Sequence, residues 1–364
     1  MPRSTPGSHN RGFTLIEMTI VLVIAAIALT MGVSAFTAAM ENAAHAATTK
    51  RQELIKQALV TYVAKYRRLP CPDLPGAAGN VLGSGDDNRS TPGNVTTVCA
   101  AAVGIVPYID IGLPREAVLD GWDNFFTYAV TIDANTKLDW ARSTNFIPGK
   151  PGNLSVFLRD PGSSSTTINV TAPDNAVLVL ISHGPNGFGA WTSQGTANAA
   201  PVAGSDEATN TAGVASFIQR EPSTNTALLY GAFDDKVTYM KPSELIAGLV
   251  TDGAVRSAEG ETRKALGDLQ ETIIGASIAN ATLPASYTMP DDGWGTPLIY
   301  NRLVPSQILS TTANSTAFTL RSAGANRVDE SGANDDVLYT VTVDSLKSLY
   351  ARAGTLPIPI PSPP

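Results

Sequence analysis

Apolar residues are concentrated near the start of the chain. From Phe13 to about Ala39 almost every position is apolar, and Glu17 is the only charged residue in this run. A helix of that length rises roughly 40 Å at about 1.5 Å per residue, whereas the hydrocarbon core of a bilayer is about 30 Å thick. The pattern therefore predicts a membrane-spanning helix over residues 13–39.

The residues before this run predict its orientation. Residues 1–12 contain Arg3 and Arg11 and no acidic residue. Positive charge is retained on the cytoplasmic side of a membrane, so the rest of the chain is expected to face outward. A secretory signal would have a shorter apolar core followed by a small-residue cleavage site. Here the feature that suggests processing, Arg11-Gly12-Phe13, precedes the apolar run.

Beyond the membrane, the spacing of apolar residues predicts that the helix continues. Between Thr48 and Tyr66 they recur at helical spacing, which is typical of one buried helical face. The segment LPCP, residues 69–72, then ends the helix, because proline removes a backbone donor and disfavours helical geometry in the residue before it. The predicted inward residues are Leu54, Ile55, Ala58, Leu59, Tyr62, Val63 and Tyr66.

Four landmarks then occur twice in the same order. Each series begins after a helix with Leu-Pro, continues with Asp-Gly-Trp and reaches Ser-x-Gly-x-Asn after an apolar strand. It ends with an Asp-Asp pair that a leucine follows at the same distance. The repetition predicts two tandem helix-then-sheet units joined near residues 249–256, with the second helix over residues 257–281. Two unrelated, loop-rich domains are the alternative. The four landmarks of the first series start at Leu69, Asp120, Ser182 and Asp234. Those of the second series start at Leu283, Asp292, Ser322 and Asp335.

Composition and charge narrow the classes of function. The 364 residues are enough for two or three domains. The net charge of −7 argues against a nucleic-acid partner, which usually needs a basic surface. The histidines are His9, His45 and His183, and the sequence has no motif of a nucleophilic, metal-dependent or nucleotide-binding enzyme. His183 follows Ser182 and could activate a serine, but a structural role in a turn is favoured. We therefore expect no enzymatic activity.

Cys71 and Cys99 are the two cysteines of the chain. They lie on the side predicted to face outward, where disulfides persist. A bond between them would close a Gly-rich loop and stabilise the fold by roughly 3–4 kcal/mol. Pairing is favoured, and two free thiols or a redox role are the alternatives. Two cysteines without a histidine cluster make a poor metal site.

The segment GFTLIE, residues 12–17, resembles the class III signal of type IV pilins and type II secretion pseudopilins. The resemblance implies that a prepilin peptidase cleaves after Gly12 and methylates the new N-terminus at Phe13. An acidic residue in a membrane segment normally needs a partner. In a filament, Glu17 of an incoming subunit would pair with the Phe13 amine of its neighbour. A plain single-pass anchor, with Glu17 reaching the membrane interface, is the alternative.

Two later segments extend the resemblance. The segment DGWGTPLIY, which begins at Asp292, is similar to the turn between the spine helix and the sheet of pseudopilins. The loop from Ser322 to Asp336 is similar to the calcium loop of the major type II pseudopilin, and calcium prefers hard oxygen ligands. The first copy spreads these landmarks over a long insertion with few acids, so a site is less expected there. An acidic, solvated turn is the alternative. The candidate calcium ligands are Asn326, Asp329, Asn334, Asp335 and Asp336.

Together these features predict an α+β fold with a long N-terminal hydrophobic spine helix and two tandem pilin-like helix-on-antiparallel-sheet units. The predicted divisions are a cleaved leader at 1–12, a transmembrane and assembly helix at 13–39, and a first globular unit with insertions at 40–250. A second unit follows at 251–353 and a Pro-rich tail at 354–364. The tail sequence, LPIPIPSPP, is expected to be extended, and either disordered or docked in a groove.

The predicted function is that of a structural subunit, of the minor or tip type, in a type IV pilus-like or type II secretion filament. Its expected partners are other pilins or pseudopilins, the prepilin peptidase and the inner-membrane assembly platform, and no nucleic acid. The expected location is the inner membrane, with the C-terminal part in the periplasm or in a cell-surface filament. No cofactor is required, apart from the candidate calcium ion. The alternative is a membrane-anchored binding or adhesion protein that contacts a surface, DNA or an exported substrate.

Overall fold

The computed structural model has the predicted α+β architecture, with an N-terminal helix and several antiparallel sheets. It describes residues 14–75, 99–132, 139–142, 146–160, 167–278, 282–305 and 315–354, and the side chains of residues 28–35 are excluded. Two helix–sheet units follow each other along the chain, and the first contains an inserted third sheet.

The first helix, α1, runs without a break over Leu15–Tyr66. Arg67 ends it in a left-handed conformation, with φ of 54°, and its N–H donates to the Val63 carbonyl. The predicted buried face is confirmed at Ile55, Leu59, Tyr62 and Val63. Leu54 and Tyr66 are exposed instead, because at 100° per residue Leu54 lies to the side of this face and Tyr66 stands at the end of the helix.

Among the described residues, we find no helical stretch with both the length and the apolar character that crossing a membrane requires. The span predicted over residues 13–39 includes Phe13 and the side chains of residues 28–35, which lie outside the described part of the chain.

The first helix–sheet unit packs α1 against a four-stranded antiparallel sheet. The strands are β1 (Val103–Ile105), β2 (Thr127–Val130), β5 (Leu178–Ser182) and β7 (Lys236–Met240), and their spatial order is β1-β2-β5-β7. A short 3-10 helix, Arg115–Val118, precedes β2, and helix α3 (Pro242–Thr251) follows β7. One hydrophobic core joins α1 and α3 to the sheet.

The inserted sheet lies between β2 and β7 in the sequence. It consists of β3 (Ser155–Arg159), β4 (Thr167–Asn169) and β6 (Ser216–Gln219), in the order β4-β3-β6, together with helix α2 (Asp206–Thr211). The β3–β4 pairing is antiparallel, whereas the β3–β6 pairing is parallel. Two arginines secure α2 to this sheet, since Arg159 Nε and Arg220 Nε lie 3.0 and 3.2 Å from the buried carboxylate of Asp206.

The second helix–sheet unit repeats this plan with fewer strands. Helix α4 (Ala258–Ile278) packs on β8 (Ile299–Arg302), β9 (Thr316–Ser322) and β10 (Val337–Thr342), and helix α5 (Val343–Arg352) follows. Leu266, Leu269 and Ile273 are buried on one face of α4, and Ile274 packs against the same core. All pairings in this sheet are antiparallel.

Backbone and side-chain contacts join the two units. Gly149 N–H donates to the Gly293 carbonyl over 2.8 Å. The guanidinium of Arg327 donates to the Asp174 carboxylate and to the Gly149 carbonyl, each over 3.0 Å. The second unit therefore contacts the segment before β3, at Gly149, and the segment after β4, at Asp174.

Candidate functional site

The described chain begins with a capped helix end. Thr14 donates its backbone N–H and its hydroxyl to the Glu17 carboxylate, each over 2.9 Å, and the Glu17 N–H donates back to the Thr14 hydroxyl. This reciprocal arrangement is a capping box, which satisfies donors at the helix start. It turns the Glu17 carboxylate back toward the end of the helix where Phe13 precedes Thr14. The predicted processing residues Gly12 and Phe13 lie outside the described residues.

The Asp-Gly-Trp segment forms the same turn in both units. One carboxylate oxygen of Asp120 accepts the N–H groups of Trp122 and Asn124, and one of Asp292 accepts those of Trp294 and Thr296, all over 2.9–3.0 Å. Such side-chain bonds fix a turn because they replace the backbone partners that the turn lacks.

Each turn is also bonded to the helix of its own unit. Gly121 N–H donates to the Thr48 hydroxyl, which donates to Ala44 one helical turn earlier. Gly293 makes the same bond to Thr262, which donates to Ala258. A Cβ at Gly121 or Gly293 would lie 2.2 or 1.9 Å from the Ala44 or Ala258 carbonyl oxygen, so only glycine allows this approach.

The Ser-x-Gly-x-Asn segment connects each turn to an acidic loop. Ser182 donates to Asp120 over 2.7 Å and Ser322 to Asp292 over 2.5 Å. Asn186 N–H then donates to Asp234, and Asn326 N–H to Asp335. Three of the four landmarks that recur in the sequence, Asp-Gly-Trp, Ser-x-Gly-x-Asn and Asp-Asp, are therefore joined by matching hydrogen bonds within each unit.

The loop of the second unit gathers three carboxylates. Oxygens of Glu330, Asp335 and Asp336 all lie within 4.8 Å of one another. Asp336 Oδ2 accepts the N–H groups of Glu330 and Gly332. Two further oxygens, Glu330 Oε2 and Asp336 Oδ1, are buried without a hydrogen-bond donor. Unpaired buried carboxylate oxygens are costly, and a cation would compensate them.

The other candidate ligands of this loop have different surroundings. The side-chain amide of Asn326 donates to Glu330 over 3.0 Å and orients that carboxylate. Asp329 is held by both Arg321 Nε and Nη2 over 2.7 Å, so its oxygens face a guanidinium. Asn334 is exposed in a left-handed conformation with φ of 53°. The hydrogen bond from Asn326 N–H lowers the pKa of Asp335 below its ordinary value.

The first unit has an equivalent acidic cluster, although its long insertion with few acids made a site less expected there. Glu207, in the first turn of α2, meets Asp234 and Asp235 within the same 4.8 Å limit. Asn186 donates its side-chain amide to Glu207 over 2.9 Å, as Asn326 does to Glu330. Glu207 lies within the long insertion between the Ser-x-Gly-x-Asn and Asp-Asp landmarks of the first unit. The local sequence Ser205-Asp206-Glu207 is typical of a helix N-cap, so it predicts the start of a helix and gives no indication of an acidic cluster.

His183 distinguishes the first cluster from the second, where Ala323 occupies the matching position. Its Nε2 lies 2.9 Å from the Thr127 hydroxyl and its Nδ1 lies 3.3 Å from Asp235. Burial alone would lower the pKa of His183, but the adjacent Asp235 carboxylate raises it above the ordinary value. The Asp235 carboxylate thus favours the charged form of this buried imidazole.

Burial raises the pKa of the neighbouring carboxyl groups. It raises the pKa of Asp234 to about 7, with a further contribution from the charge of Glu207. Burial and then the charge of Asp235 raise the pKa of Glu207.

The contacts Thr127–His183–Asp235 have the order of a nucleophile, a base and an orienting acid, as in a catalytic triad. The three residues are only 9, 1 and 5% exposed, which leaves the hydroxyl enclosed by protein.

A disulfide joins Cys71 to Cys99, as predicted, with a Cα–Cα distance of 5.4 Å. Both cysteines are buried and pack with Ala141. Cys71 follows the end of α1 and Cys99 precedes β1, so the bond joins the two ends of the segment between them.

Comparison with known proteins identifies a family match at the N-terminal end of the chain. A family model described as the prokaryotic N-terminal methylation motif matches residues 7–33. The chain carries a prepilin-type signal. This signal is that of type IV pilins and pseudopilins, and it implies processing by a prepilin peptidase, assembly with other pilins and attachment to a membrane. The matched residues include Gly12, Phe13 and Glu17. Searches among curated proteins and among solved structures gave no match.

Proposed function

We propose that this protein is a minor or tip-type structural subunit of a type IV pilus-like or type II secretion filament. The supporting observation is that the prepilin-type signal at residues 7–33 leads directly into α1, which continues without a break into the first core. In this proposal the peptidase cleaves after Gly12 and methylates Phe13, and Glu17 pairs with the Phe13 amine of a neighbouring subunit. Such pairing would neutralise both charges in the membrane.

Two pilin-like units on one spine are part of the same proposal. Each has a helix, an Asp-Gly-Trp turn bonded to that helix, a Ser-to-Asp bond and an acidic loop. Matching bonds in two chain segments favour duplication over two unrelated domains. In this proposal one assembly helix carries both units. Many copies packed around a filament core would therefore crowd each other sterically. A position at the end of the filament relieves this crowding.

The test is mass spectrometry of the native protein in two fractions, sheared surface filaments and cell envelope. A peptide that begins at methylated Phe13 in the filament fraction supports a pilus subunit, whereas processed protein confined to the envelope supports a secretion pseudopilus. A chain that retains residues 1–12 in both fractions would contradict the proposal and favour a membrane-anchored binding protein. An abundance equal to that of the main filament protein would contradict the minor role.

We also propose that the second acidic loop binds calcium through Glu330, Asp335 and Asp336. Their oxygens are close together, and two of them are buried without donors. Calcium takes six to eight oxygen ligands, which backbone carbonyls, Asn334 and water would complete. Ligands that bind only the folded state raise its stability. We therefore expect calcium to raise the melting temperature of the full-length protein.

Two variants make this test specific. Asp336→Asn should abolish the calcium-dependent rise in melting temperature, because it removes a carboxylate from the cluster. Asp329→Asn should retain the rise, since Asp329 faces Arg321 and not the cluster. Magnesium is the control ion, because it demands a smaller and more regular shell. An equal response of the original protein and Asp336→Asn would refute the site.

A further inference from the structure

A cavity lies at the joint between the two helix–sheet units. Its volume is about 540 Å³, which is in the range of small-ligand sites. The first unit lines it with the end of α1 and the segment 146–148. The second unit lines it with the first turns of α4 and the start of its Asp-Gly-Trp turn, and the connection 253–256 completes the wall.

The first unit shows a bound guanidinium at the equivalent place. The half-buried Arg51 of α1 donates through Nη1 to the backbone carbonyls of Leu119 and Asp120, over 3.1 and 2.8 Å. This side chain joins the helix to the residues that start the Asp-Gly-Trp turn. Two carbonyl oxygens that converge on one nitrogen suit a cation, because a guanidinium offers donors and no acceptor.

The second unit has an alanine at the matching position. Thr48 in α1 and Thr262 in α4 hold the two turns by the same hydrogen bond. Arg51 stands three residues after the first threonine, and Ala265 stands three residues after the second. Ala265 and the start of the second turn, residues 291–292, line the cavity. The cavity therefore lies where the first unit holds its guanidinium.

Two acidic residues also replace apolar ones around this place. Asp291 stands where the first unit has Leu119, Glu261 stands where it has Ala47, and both acids line the cavity. Glu261 lies 3.5 Å from Arg256, with side chains that are 36 and 60% exposed, and such a surface pair contributes little. Loss of the arginine and gain of two acids leave a wall that attracts a cation.

Arg67 gives the opposite wall a positive charge. Its Nη2 donates to the Ala254 carbonyl, and its guanidinium carbon lies 6.0 Å from the centre of the Phe146 ring. All three residues line the cavity. Within the described part of the chain, Arg67 Nη1 is buried and has no acceptor. Such a donor is costly to leave unpaired, and a carboxylate is a strong acceptor for it.

We propose that this cavity binds an arginine that carries a free carboxylate, either as the free amino acid or as the last residue of a peptide. Its guanidinium would donate to the carbonyls of Asp291 and Asp292, in the place that Arg51 has in the first unit. Its carboxylate would bind Arg67 Nη1. One ligand would thus bridge the two units. This binding goes beyond the proposed filament role and does not depend on it.

The test is isothermal titration calorimetry of the full-length protein with L-arginine, which should show saturable binding at one site. Agmatine lacks the carboxylate and citrulline lacks the charge, so each should bind at least about tenfold more weakly. No saturable binding of arginine would overturn the proposal, and so would equal affinity for citrulline. The tripeptide Gly-Gly-Arg distinguishes the two sources. Binding at least as tight as that of arginine supports a peptide end, and weaker binding supports the free amino acid.

Three variants locate the ligand in the cavity. Ala265→Arg supplies the guanidinium from within the chain and should abolish arginine binding. Thr272→Arg places the same side chain on an exposed position of α4 outside the cavity, so it should bind like the original protein. Arg67→Met should weaken the binding of arginine about tenfold and leave that of agmatine unchanged, which also shows that the variant is folded. Equal affinity of Ala265→Arg and the original protein for arginine would overturn the proposal.

Discussion

Replacement of Asp292 by alanine tests how the helix–sheet units are held together. The Asp292 carboxylate is 3% exposed and accepts three hydrogen bonds, from Trp294 N–H, Thr296 N–H and the Ser322 hydroxyl. Alanine would leave the two amides without an acceptor, while the hydroxyl can rotate. A buried donor without a partner costs roughly 1–3 kcal/mol, so the variant should lose roughly 2–6 kcal/mol of stability.

The assay is hydrogen–deuterium exchange in the full-length protein, read separately for each unit. A loss of 2 kcal/mol corresponds to about 30-fold faster exchange. Asp292→Ala should accelerate exchange in α4 and β9 and spare β2 and β5. Asp120→Ala should do the reverse, because Asp120 accepts the matching bonds in the first unit.

The control is Asp268→Ala on the exposed face of α4, where Asp268 pairs with Lys264. A surface ion pair contributes about 0–1 kcal/mol, so this variant should change exchange little. The reasoning is refuted if Asp292→Ala costs no more than Asp268→Ala. It is also refuted if each buried variant accelerates exchange equally in both units.

Three further outcomes are expected. Stability, measured as the urea midpoint, should fall as the pH rises from about 4 through 7, because the folded state holds a proton on Asp234 that the unfolded chain releases. The raised pKa of His183 extends this fall above about pH 6.5. Asp234→Asn should flatten this dependence, and an unchanged slope would contradict the shift. Replacement of both cysteines by serine should lower the free energy of unfolding by roughly 3–4 kcal/mol. A decrease below about 1 kcal/mol would show that closing the loop with the disulfide contributes little to stability. A calcium chelator should accelerate hydrogen exchange in the acidic loop of the second unit. It should leave exchange in the first acidic cluster unchanged, because His183 lies beside the carboxylates there. Equal acceleration in both would show that His183 does not take the place of a cation.

The sequence predicted features that depend on contacts between residues close together in the chain. It also predicted those whose landmark residues occur twice in the same order. The inward stripe of α1 follows from helical spacing and is confirmed at Ile55, Leu59 and Val63. The Asp-Gly-Trp turns were recognisable because aspartate and glycine have local roles in a turn. Cys71 and Cys99 are the two cysteines of the chain, so their pairing left a single choice.

The features that the sequence did not predict depend on contacts between distant segments. Glu207 meets Asp234, 27 residues further along the chain, only through the tertiary fold. The parallel pairing of β3 with β6 joins segments about sixty residues apart, and no local pattern specifies such a partner. Lys150 is 1% exposed, and burial lowers its pKa to about 7. Its burial results from packing over Trp140, which residue type alone does not indicate.

The residue after the paired asparagine has the same backbone conformation in both units but a different side chain. Gly187 and Arg327 follow the paired asparagines Asn186 and Asn326, and both are left-handed, with φ of 62° and 59°. An arginine there costs about 1–2 kcal/mol relative to glycine. In the second unit that cost is offset, because Arg327 donates to Asp174 and to the Gly149 carbonyl and so fastens this unit to the first. The strained arginine is thus explained by its contacts between the units and not by the loop that holds it. The second unit depends on such contacts to stay attached to the first, because Arg327 bonds to residues of the first unit on two sides of its guanidinium.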